Sequence, residues 1–541
     1  MSRAAAATES PSYTWRDLFR ESYFTLDRRT LGLTRICLGF FLLMDLFRRT
    51  GDWEAMFSDR GVLPTWVILH RPQSTGFSLL HGFTTAPELW ALWLVIFATY
   101  VCVLVGYRTK LAQVLSLVFV TSMNGRVLLI ENGGYVVHNL LLLWTAFMPL
   151  GDRFSLDALL DSLRRRREST AAELADRSAM DAPYRMTPFV SLVGLVLVLQ
   201  LAAIYYFNVV HKTGPAWKVH YTAVHYVMYV DRMVNPLIGW VRDYVPFPIY
   251  RAMTMAVMAS EAGLPFCLLA PRLVIGGFDV RLWLRRFALV LVNFLHIGFG
   301  STFVLGPFAW ALCVFSTLLF QKEDWDTSAR AMRRSHRERT VIFDASSGAA
   351  WLAVRVLARL DRFGLLGFDE AKGSEANHGF AVLDRSGKLL VGHAALADAI
   401  AALPVGSVFA WILRLPLASS LVDAAMRRGR WSRFFGLEAP GQSATHEPTS
   451  LALRRRKLGG LLRETACFVM MIGALNQALT ELWVTKKGWN ELIATLNKTS
   501  LVEGLGLTLS PHPEATKLLS HKGRFLQGWF MFSPNPVMDD G

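Results

Sequence analysis

The chain has 541 residues, of which 52% are hydrophobic and only 18% are charged, a more apolar balance than soluble domains usually have. Several long, nearly uncharged stretches predict membrane-spanning helices and exclude an ordinary soluble fold. The net charge of +15 comes largely from arginines that flank these stretches. This pattern is typical of membrane topology, so we expect no nucleic-acid partner.

Nine apolar stretches are the candidate membrane spans. They cover residues 31–47, 87–106, 110–130, 135–150, 187–210, 247–270, 283–300, 302–320 and 460–483. Polar residues interrupt the third and fourth, which we expect to form a hairpin with a polar tip. The polar segment 1–30 lacks the features of a cleaved signal peptide, so the first span is expected to direct insertion. The stretch 61–69 is too short to span and is interpreted as interfacial.

Basic clusters set the predicted orientation. They fall on one side of the membrane if the nine spans alternate, and they comprise Arg108 with Lys110, Arg164 to Arg167, Arg281 with Arg285 and Arg286, Arg330 to Arg339, and Arg454 to Lys457. The positive-inside rule makes that side cytoplasmic. We therefore expect a multi-pass protein of the cell inner membrane with a cytoplasmic N-terminus and Lys212 near the extracytoplasmic face.

The fifth span ends in two adjacent basic residues, His211 and Lys212. A lysine at this boundary is either a snorkelling anchor, with Trp217 at the level of the headgroups, or a base activated by removal from water. His211, as a neighbouring cation, would favour the second role. The anchor reading is typical of a structural protein, and the base reading is typical of an enzyme.

Three more ionisable residues lie inside predicted spans. His138 and His296 are either functional groups or partners in interhelical hydrogen bonds. Glu261 is a neutral donor, a proton relay or a partner of Arg126, and we favour the structural pair. The five cysteines are far apart, match no metal-binding or CxxC spacing, and are expected to be buried free thiols; they are Cys37, Cys102, Cys267, Cys313 and Cys467.

Residues 321–458 form the one sizeable soluble block. A strand at 340–344, a helix at 349–360 and a hairpin over 380–391 predict a small α/β domain. The polar stretch 438–450 is interpreted as a linker. The predicted fold is thus an all-α polytopic membrane bundle of about nine spans with a small cytoplasmic α/β domain.

Four passages in the first eight spans follow one order and spacing. They are Asn124–Arg126 with Glu131–Asn139, Phe147–Asp157, Lys212 with Trp217 five residues later, and Asn293–His296 with Gly298 and Phe303. Together they resemble the HTTM domain, the membrane domain of vitamin K-dependent gamma-carboxylases and their bacterial relatives. The resemblance covers residues 31–320, and Gln527–Pro536 resembles the segment that closes many proteins with this domain.

This resemblance implies an enzyme that oxidises a reduced, vitamin K-like quinone with oxygen and uses the strong base so formed for carboxylation. Its catalytic residues would be Lys212 as initiating base, with His138 and His296 in support. The surrounding residues would be His211, Trp217, Glu261, Arg126 and Asn132. The implied cofactor is a reduced quinone, and no metal is expected. The alternative is a non-enzymatic membrane protein that binds a lipid, a quinone or a partner protein.

The first predicted strand of the soluble block is followed by Asp344-Ala345-Ser346-Ser347-Gly348-Ala349-Ala350. This run resembles the Asp-x-x-Cys-x-x-Cys signature of DCC-type thiol–disulfide oxidoreductases, which implies a thioredoxin-like fold. Ser347 and Ala350 stand where the signature has its cysteines. Without a thiolate there is no nucleophile, so the resemblance implies a degenerate domain without disulfide exchange.

The expected organisation has four parts. They are a cytoplasmic segment at 1–30, an eight-span membrane domain at 31–320, a cytoplasmic domain and linker at 321–458, and a ninth span with a short extracytoplasmic C-terminus at 459–541.

Overall fold

The computed structural model of the chain is mainly helical, with three small sheets. It describes residues 14–70, 76–128, 131–165, 187–334, 339–344, 348–361, 363–371, 380–384, 386–428, 450–481, 483–506 and 508–527. One large apolar core joins the helices of the bundle. A separate core belongs to the α/β domain.

The described residues up to 165 form eight helices. They are α1 (Trp15–Tyr23), α2 (Arg28–Thr50), α3 (Trp53–Phe57), α4 (Thr65–Leu69), α5 (Ala86–Val105), α6 (Thr109–Arg126), α7 (Gly133–Ala146) and α8 (Leu156–Arg165). Local sequence sets their ends. The Asp27 side chain accepts a hydrogen bond from the backbone N–H of Arg29 at the start of α2. Gly106, at φ 74°, ends α5 in the left-handed conformation.

The second third adds eight more helices. They are α9 (Leu192–His211), α10 (Pro215–Lys218), α11 (Ala223–Met228), α12 (Pro236–Val241), α13 (Phe247–Leu269), α14 (Val280–Thr302), α15 (Phe308–Ser316) and α16 (Lys322–Arg334). Two antiparallel pairs of short strands accompany them: β1 (Thr25–Leu26) with β2 (Phe189–Val190), and β3 (Val274–Ile275) with β4 (Phe278–Asp279). Short 3-10 turns lie at Leu79–Gly82, Arg242–Tyr244 and Thr317–Leu319.

A four-stranded sheet organises the α/β domain. Its elements are β5 (Arg339–Phe343), α17 (Gly348–Leu360), β6 (Leu366–Glu370), β7 (Phe380–Leu383), β8 (Leu389–Val391), α18 (Gly392–Ala402), α19 (Gly406–Leu413) and α20 (Pro416–Arg428). The strand order is β6-β5-β7-β8, with β5 and β6 parallel and the other pairs antiparallel. The predicted strands and helix are confirmed, and β6 is an addition.

The two positions of the expected cysteine pair are only partly visible in this domain. Ala350 lies in its core, 2% exposed. Ser347 and all but the last residue of the predicted linker at 438–450 lie outside the described residues.

Four helices and a returning segment are described between residues 450 and 527. The helices are α21 (Ser450–Glu481), α22 (Trp483–Asn497), α23 (Ser500–Gly504) and α24 (Glu514–Lys517), followed by a π turn at Leu518–Lys522. The segment 522–527 then enters the bundle, where the side-chain amides of Gln527 and Gln200 hydrogen-bond each other at 2.9 and 3.0 Å. Gln527 is only 2% exposed. Buried amides therefore tie this segment to α9, and the extracytoplasmic location of the C-terminal region stays a prediction.

Six helices of the described chain are long and apolar enough to cross a membrane. They are Arg28–Thr50, Ala86–Val105, Leu192–His211, Phe247–Leu269, Val280–Thr302 and Lys457–Thr480. They match six of the nine predicted spans. The other three correspond to α6, which carries buried polar residues, and to α7 and α15, which are shorter. Helices surrounded by protein need not be as long or as apolar as those that face lipid.

The α/β domain contains a bent pair of apolar helices within the block that the sequence interpretation predicted to be soluble. The segments Gly406–Leu413 and Pro416–Ala424 are together apolar enough for a span, but they are bent by 84°. Several of their large apolar side chains are exposed, among them Trp411 at 64% and Leu417 at 77%. The prediction of an entirely soluble block is therefore too simple.

Charged segments gather at one end of the bundle. Arg285 donates to the backbone carbonyl of Ser22 at 2.7 Å, and Arg29 pairs with Asp326 at 2.8 Å. These contacts join α1, α2, α14 and α16. One of the basic clusters predicted to share a side, Arg281 with Arg285 and Arg286, takes part in these contacts, and the orientation of the bundle stays a prediction.

Candidate functional site

A cavity of about 730 Å³ lies among α9, α13 and α14, next to the short helices α10 to α12. Its walls are mostly apolar, and its polar lining includes residues from each of the three long helices. Pockets of this size and character are typical of small-molecule sites. Four predicted site residues, Lys212, Trp217, Glu261 and His296, line this cavity.

Lys212 is placed by the end of α9. The helix stops at His211, and the turn Thr213-Gly214 leads into α10, where Pro215 occupies the first helical position. Lys212 is only 2% exposed. Its Nζ donates to Oε2 of Glu261 at 2.5 Å and lies 4.4 Å from the centroid of the Trp217 ring. The lysine is therefore held between a carboxylate and an indole face, and it is not a snorkelling side chain in water.

Glu261 lies on α13 and is 5% exposed. Its second oxygen, Oε1, accepts a hydrogen bond from Nδ2 of Asn208 at 2.7 Å. Asn208 precedes Lys212 by four residues, so the two side chains reach the same carboxylate from neighbouring turns of the chain. The predicted partner of Glu261 was Arg126, and this prediction is wrong. The carboxylate pairs with Lys212.

His296 lies on α14 and is bonded to α9. Its Nε2 and the Tyr205 hydroxyl are 2.8 Å apart. This is the interhelical hydrogen bond that the structural interpretation of His296 predicted. The other ring nitrogen, Nδ1, has no hydrogen-bond partner among the described residues, and neither has Oδ1 of Asn208. Both residues line the cavity, so the polar wall has unused hydrogen-bonding capacity that a ligand hydroxyl would satisfy.

Arg242 adds a cation to the cavity lining. Its guanidinium pairs with Asp231 at 2.6 Å, donates to the carbonyl of Met228 at 3.0 Å and lies 4.6 Å from the Tyr229 ring centroid. Beside it, His225 packs on Tyr229 with 4.7 Å between ring centroids. Burial lowers the pKa of the His225 imidazole and favours its neutral form.

The cavity opens sideways between α13 and α14. Several residues that line it are also exposed on the outside of the bundle, including Phe294 at 74%, Ile249 at 49% and Met253 at 42%. Ile249 and Met253 are four residues apart on one face of α13. Both helices are long and apolar enough to cross a membrane, and in a bilayer these exposed side chains would contact hydrocarbon.

His138 does not line this cavity. It is fully buried on α7, with its ring centroid 4.5 Å from that of Phe41. Neither ring nitrogen has a hydrogen-bond partner among the described residues. On the same helix the neighbouring Asn139 accepts from Asn124, which in turn accepts from Arg49, at 2.8 Å each. The structure therefore does not group His138 with Lys212 and His296.

The remaining predicted site residues have structural contacts elsewhere. Arg126 donates to the carbonyl of Leu63 at 2.9 Å and to the hydroxyl of Thr65 at 3.1 Å. The side chain of Asn132 caps α7 by accepting from the N–H of Gly134 at 2.8 Å. His211 is buried, with its ring 6.1 Å from that of Phe207, and does not line the cavity.

Three residues of the polar wall had no predicted role. Asn208 and Tyr205 could have been noticed, because a polar side chain facing the interior of an apolar span is costly unless it has a partner. Arg242 gave no signal, since it lies in a short polar loop. Among the described residues there is no group of three or more metal-ligating side chains.

The chain was compared with known families, curated proteins and solved structures, and none of them matches it.

Proposed function

We propose that the protein takes a reduced, quinone-like ligand from the bilayer into the cavity and that Lys212 and Glu261 move a proton at its hydroxyl group. The observation that carries this proposal is a buried lysine–glutamate pair in the wall of an apolar cavity between helices that are long and apolar enough to cross a membrane. The sequence resemblance to the HTTM domain points to the same lysine and the same class of ligand.

The residues present fit such a ligand. Apolar residues of α13 and α14 would hold its hydrocarbon tail, and the polar wall would hold its ring hydroxyls. Oδ1 of Asn208, which has no hydrogen-bond partner among the described residues, would accept a hydrogen bond from one ligand hydroxyl, and Nδ1 of His296 would hydrogen-bond another ring oxygen. Water is scarce among these apolar walls, so each of these hydrogen bonds would be stronger than in solution.

Proton transfer would proceed within the pair. Lys212 would first pass an ammonium proton to the Glu261 carboxylate, 2.5 Å away, which leaves a neutral amine and a neutral acid. The amine would then accept the proton of the ligand hydroxyl, which leaves an oxyanion beside the new ammonium group. Trp217, with its ring face toward Nζ, would stabilise the positive charge. According to the resemblance, a bound hydroquinone supplies reaction with oxygen, which yields its epoxide and water.

The α/β domain would have no redox part in this chemistry. Its parallel β5–α17–β6 unit and the hairpin β7–β8 in the order β6-β5-β7-β8 support a thioredoxin-like fold. None of the five cysteines of the chain lies within residues 321–458. Disulfide exchange within this block therefore has no nucleophile.

The second candidate is a protein that binds the ligand without transforming it. The observation that favours it is that Lys212 with Glu261, and Tyr205 with His296, are complete pairs that also hold α9 to its neighbours. A protein in which these pairs are purely structural would still bind the ligand in the cavity but would form no product.

An assay of purified protein in lipid nanodiscs, with reduced vitamin K and oxygen, separates the two candidates. We expect epoxide formation, and we expect Lys212→Ala to lower its rate by about 10² or more, the range for loss of a general base. Lys218→Ala, at an exposed lysine of α10, is the matched control and should leave the rate unchanged. Equal rates for wild type and Lys212→Ala would exclude the catalytic role.

Binding is measured separately at the side opening. Gly298 lines the cavity, and a Cβ added there meets nothing within 4 Å, so Gly298→Trp should obstruct the cavity without breaking the fold. Gly263→Trp, at an equally open site on α13 that does not line the cavity, is the control. If wild type forms no epoxide but Gly298→Trp alone weakens quinone binding, the non-enzymatic function stands. If neither substitution changes binding, the cavity is not the site.

A further inference from the structure

A second cavity, of about 280 Å³, lies between α7, α21 and the C-terminal segment. It shares no lining residue with the first cavity. Leu140 and Leu143 of α7 form one wall, and Thr516, Ser520 and Phe525 form another. It is close to the lower end of the size range of ligand sites and is almost wholly apolar.

One polar side chain in this cavity is left without partners. Gln477 of α21 is 0% exposed, and neither its Oε1 nor its Nε2 has a hydrogen-bond partner among the described residues. An unsatisfied buried amide is rare in native structures and costs about 1–3 kcal/mol for each group. The nearby Thr480 does not relieve it, because its hydroxyl bonds to the backbone of its own helix. A ligand with one acceptor and one donor would satisfy this amide.

The remainder of the cavity wall indicates which class of ligand would carry this acceptor and this donor. Phe468, Val469 and Ile472 line the cavity and are also 51%, 56% and 45% exposed on the outside of α21. They lie within the apolar stretch Lys457–Thr480 that is long enough to span a membrane. A hydrocarbon chain that enters from the bilayer would run along these residues. Gln477 lies three residues before the end of the stretch, which in a spanning helix would be near the depth where lipid chains join their polar linkage.

We propose that this cavity binds one acyl-glycerol lipid. Its chain would lie along α21, its ester carbonyl would accept from Nε2 of Gln477, and a headgroup hydroxyl would donate to Oε1. Both hydrogen bonds use the side-chain amide of Gln477, whose nitrogen donates and whose oxygen accepts. This site does not depend on the proposed function of the first cavity.

Such a lipid would fill a gap in the packing of α21. Only 6% of the apolar stretch of this helix is buried, compared with 61% for those of α2 and α9. The bound chain would contact α21, α7 and the returning segment at once. It would therefore attach the last span to the bundle, a role that a loosely associated annular lipid does not fulfil.

Native mass spectrometry of the full-length protein, purified in mild detergent with its endogenous lipids, tests the stoichiometry. We expect one retained lipid in wild type and at least about a tenfold lower occupancy in Gln477→Leu, corresponding to the loss of about one hydrogen bond. Thr480→Val, on the same helix and outside the cavity lining, is the control and should keep the lipid. Equal lipid retention by Gln477→Leu and wild type would overturn the proposal.

Thermal unfolding after delipidation gives an independent measurement that a misfolded variant could not imitate. Dioleoylphosphatidylglycerol should raise the unfolding midpoint of wild type, and its ether-linked analogue, which lacks the ester carbonyl, should raise it less. Gln477→Leu should be at least as stable as delipidated wild type, because it removes the unsatisfied amide, and should not respond specifically to the ester lipid. Equal responses to the two lipids would exclude the carbonyl contact, and an equal response of both proteins would exclude the site.

Discussion

The contact between Lys212 and Glu261 places two ionisable groups where little water can reach either of them. Lys212 is 2% exposed and Glu261 5% exposed, so each depends on the other and on Asn208 and Trp217 to replace its hydration. A buried pair of this kind contributes little net stability, but losing one partner is costly because the other charge stays behind.

Single substitutions in this pair should therefore be more harmful than the double substitution. We expect Lys212→Met and Glu261→Leu each to destabilise the protein by about 3–5 kcal/mol, the range for a broken buried pair. The double variant should recover most of that loss. Thermal unfolding in detergent measures all four corners of the cycle. Additive effects of the two substitutions would show that the residues do not interact.

At this scale the sequence predicted the position of Lys212 better than its surroundings. The end of an apolar span placed Lys212 near Trp217, but the sequence left open whether the lysine is a snorkelling anchor or a base removed from water. The structure shows it buried beside the indole. The partner of Glu261 was predicted wrongly, and His138 was grouped with residues it does not approach. Which helices are neighbours depends on packing between distant parts of the chain, and residue spacing within one span carries no information about it.

Helices α2 and α5 show how closely elements approach within the bundle. A Cβ added to Gly39 of α2 would lie 2.5 Å from Cα of Leu104 on α5. Small residues at such positions allow membrane helices to pack backbone against backbone.

This close approach predicts the effect of adding one methyl group. Gly39→Ala should lower the unfolding midpoint, since overpacking costs about 1–3 kcal/mol. The matched control is Gly263→Ala on α13, where an added Cβ meets nothing within 4 Å, and it should leave the midpoint unchanged or raise it because alanine favours helices. A destabilised control with an unaffected Gly39→Ala would contradict the packing shown for α2 and α5.

Long apolar helices were the most predictable elements, because length and composition alone define them. The predicted strands at 340–344 and 380–391 also fall on real strands. The strand β6 (Leu366–Glu370) was missed because its sequence, with two acidic residues in five, has little β propensity. It forms through its parallel pairing with β5, a tertiary contact.

At the scale of the whole molecule, the segment 522–527 connects parts of the bundle that are distant in the sequence. Arg524 forms an ion pair with Glu131, and its backbone carbonyl accepts a hydrogen bond from Asn139 at 3.2 Å. Farther along, Gln527 reaches Gln200 in the middle of α9. Residues nearly 400 positions apart in the sequence thus meet within the bundle.

Removing this ion pair should loosen the segment without unfolding the bundle. We expect Arg524→Ala to cost about 1–3 kcal/mol, typical for a lost hydrogen bond to a charged group, and to speed amide exchange in residues 518–527. Lys517→Ala is the control, because its contact with Glu514 is exposed and long, at 3.8 Å. Hydrogen–deuterium exchange measures both variants. Unchanged exchange in Arg524→Ala would show that the amide pair alone holds the segment.

In the proposed function, the sideways opening between α13 and α14 would decide which concentration controls occupancy of the first cavity. A ligand that arrives through the hydrocarbon region equilibrates with its mole fraction in the lipid and not with its concentration in the buffer. Diluting a fixed amount of such a ligand with empty vesicles would empty the cavity, although the water around the protein hardly changes. Binding to this protein is then a two-dimensional equilibrium, and its natural unit of affinity is molecules of ligand per molecule of lipid.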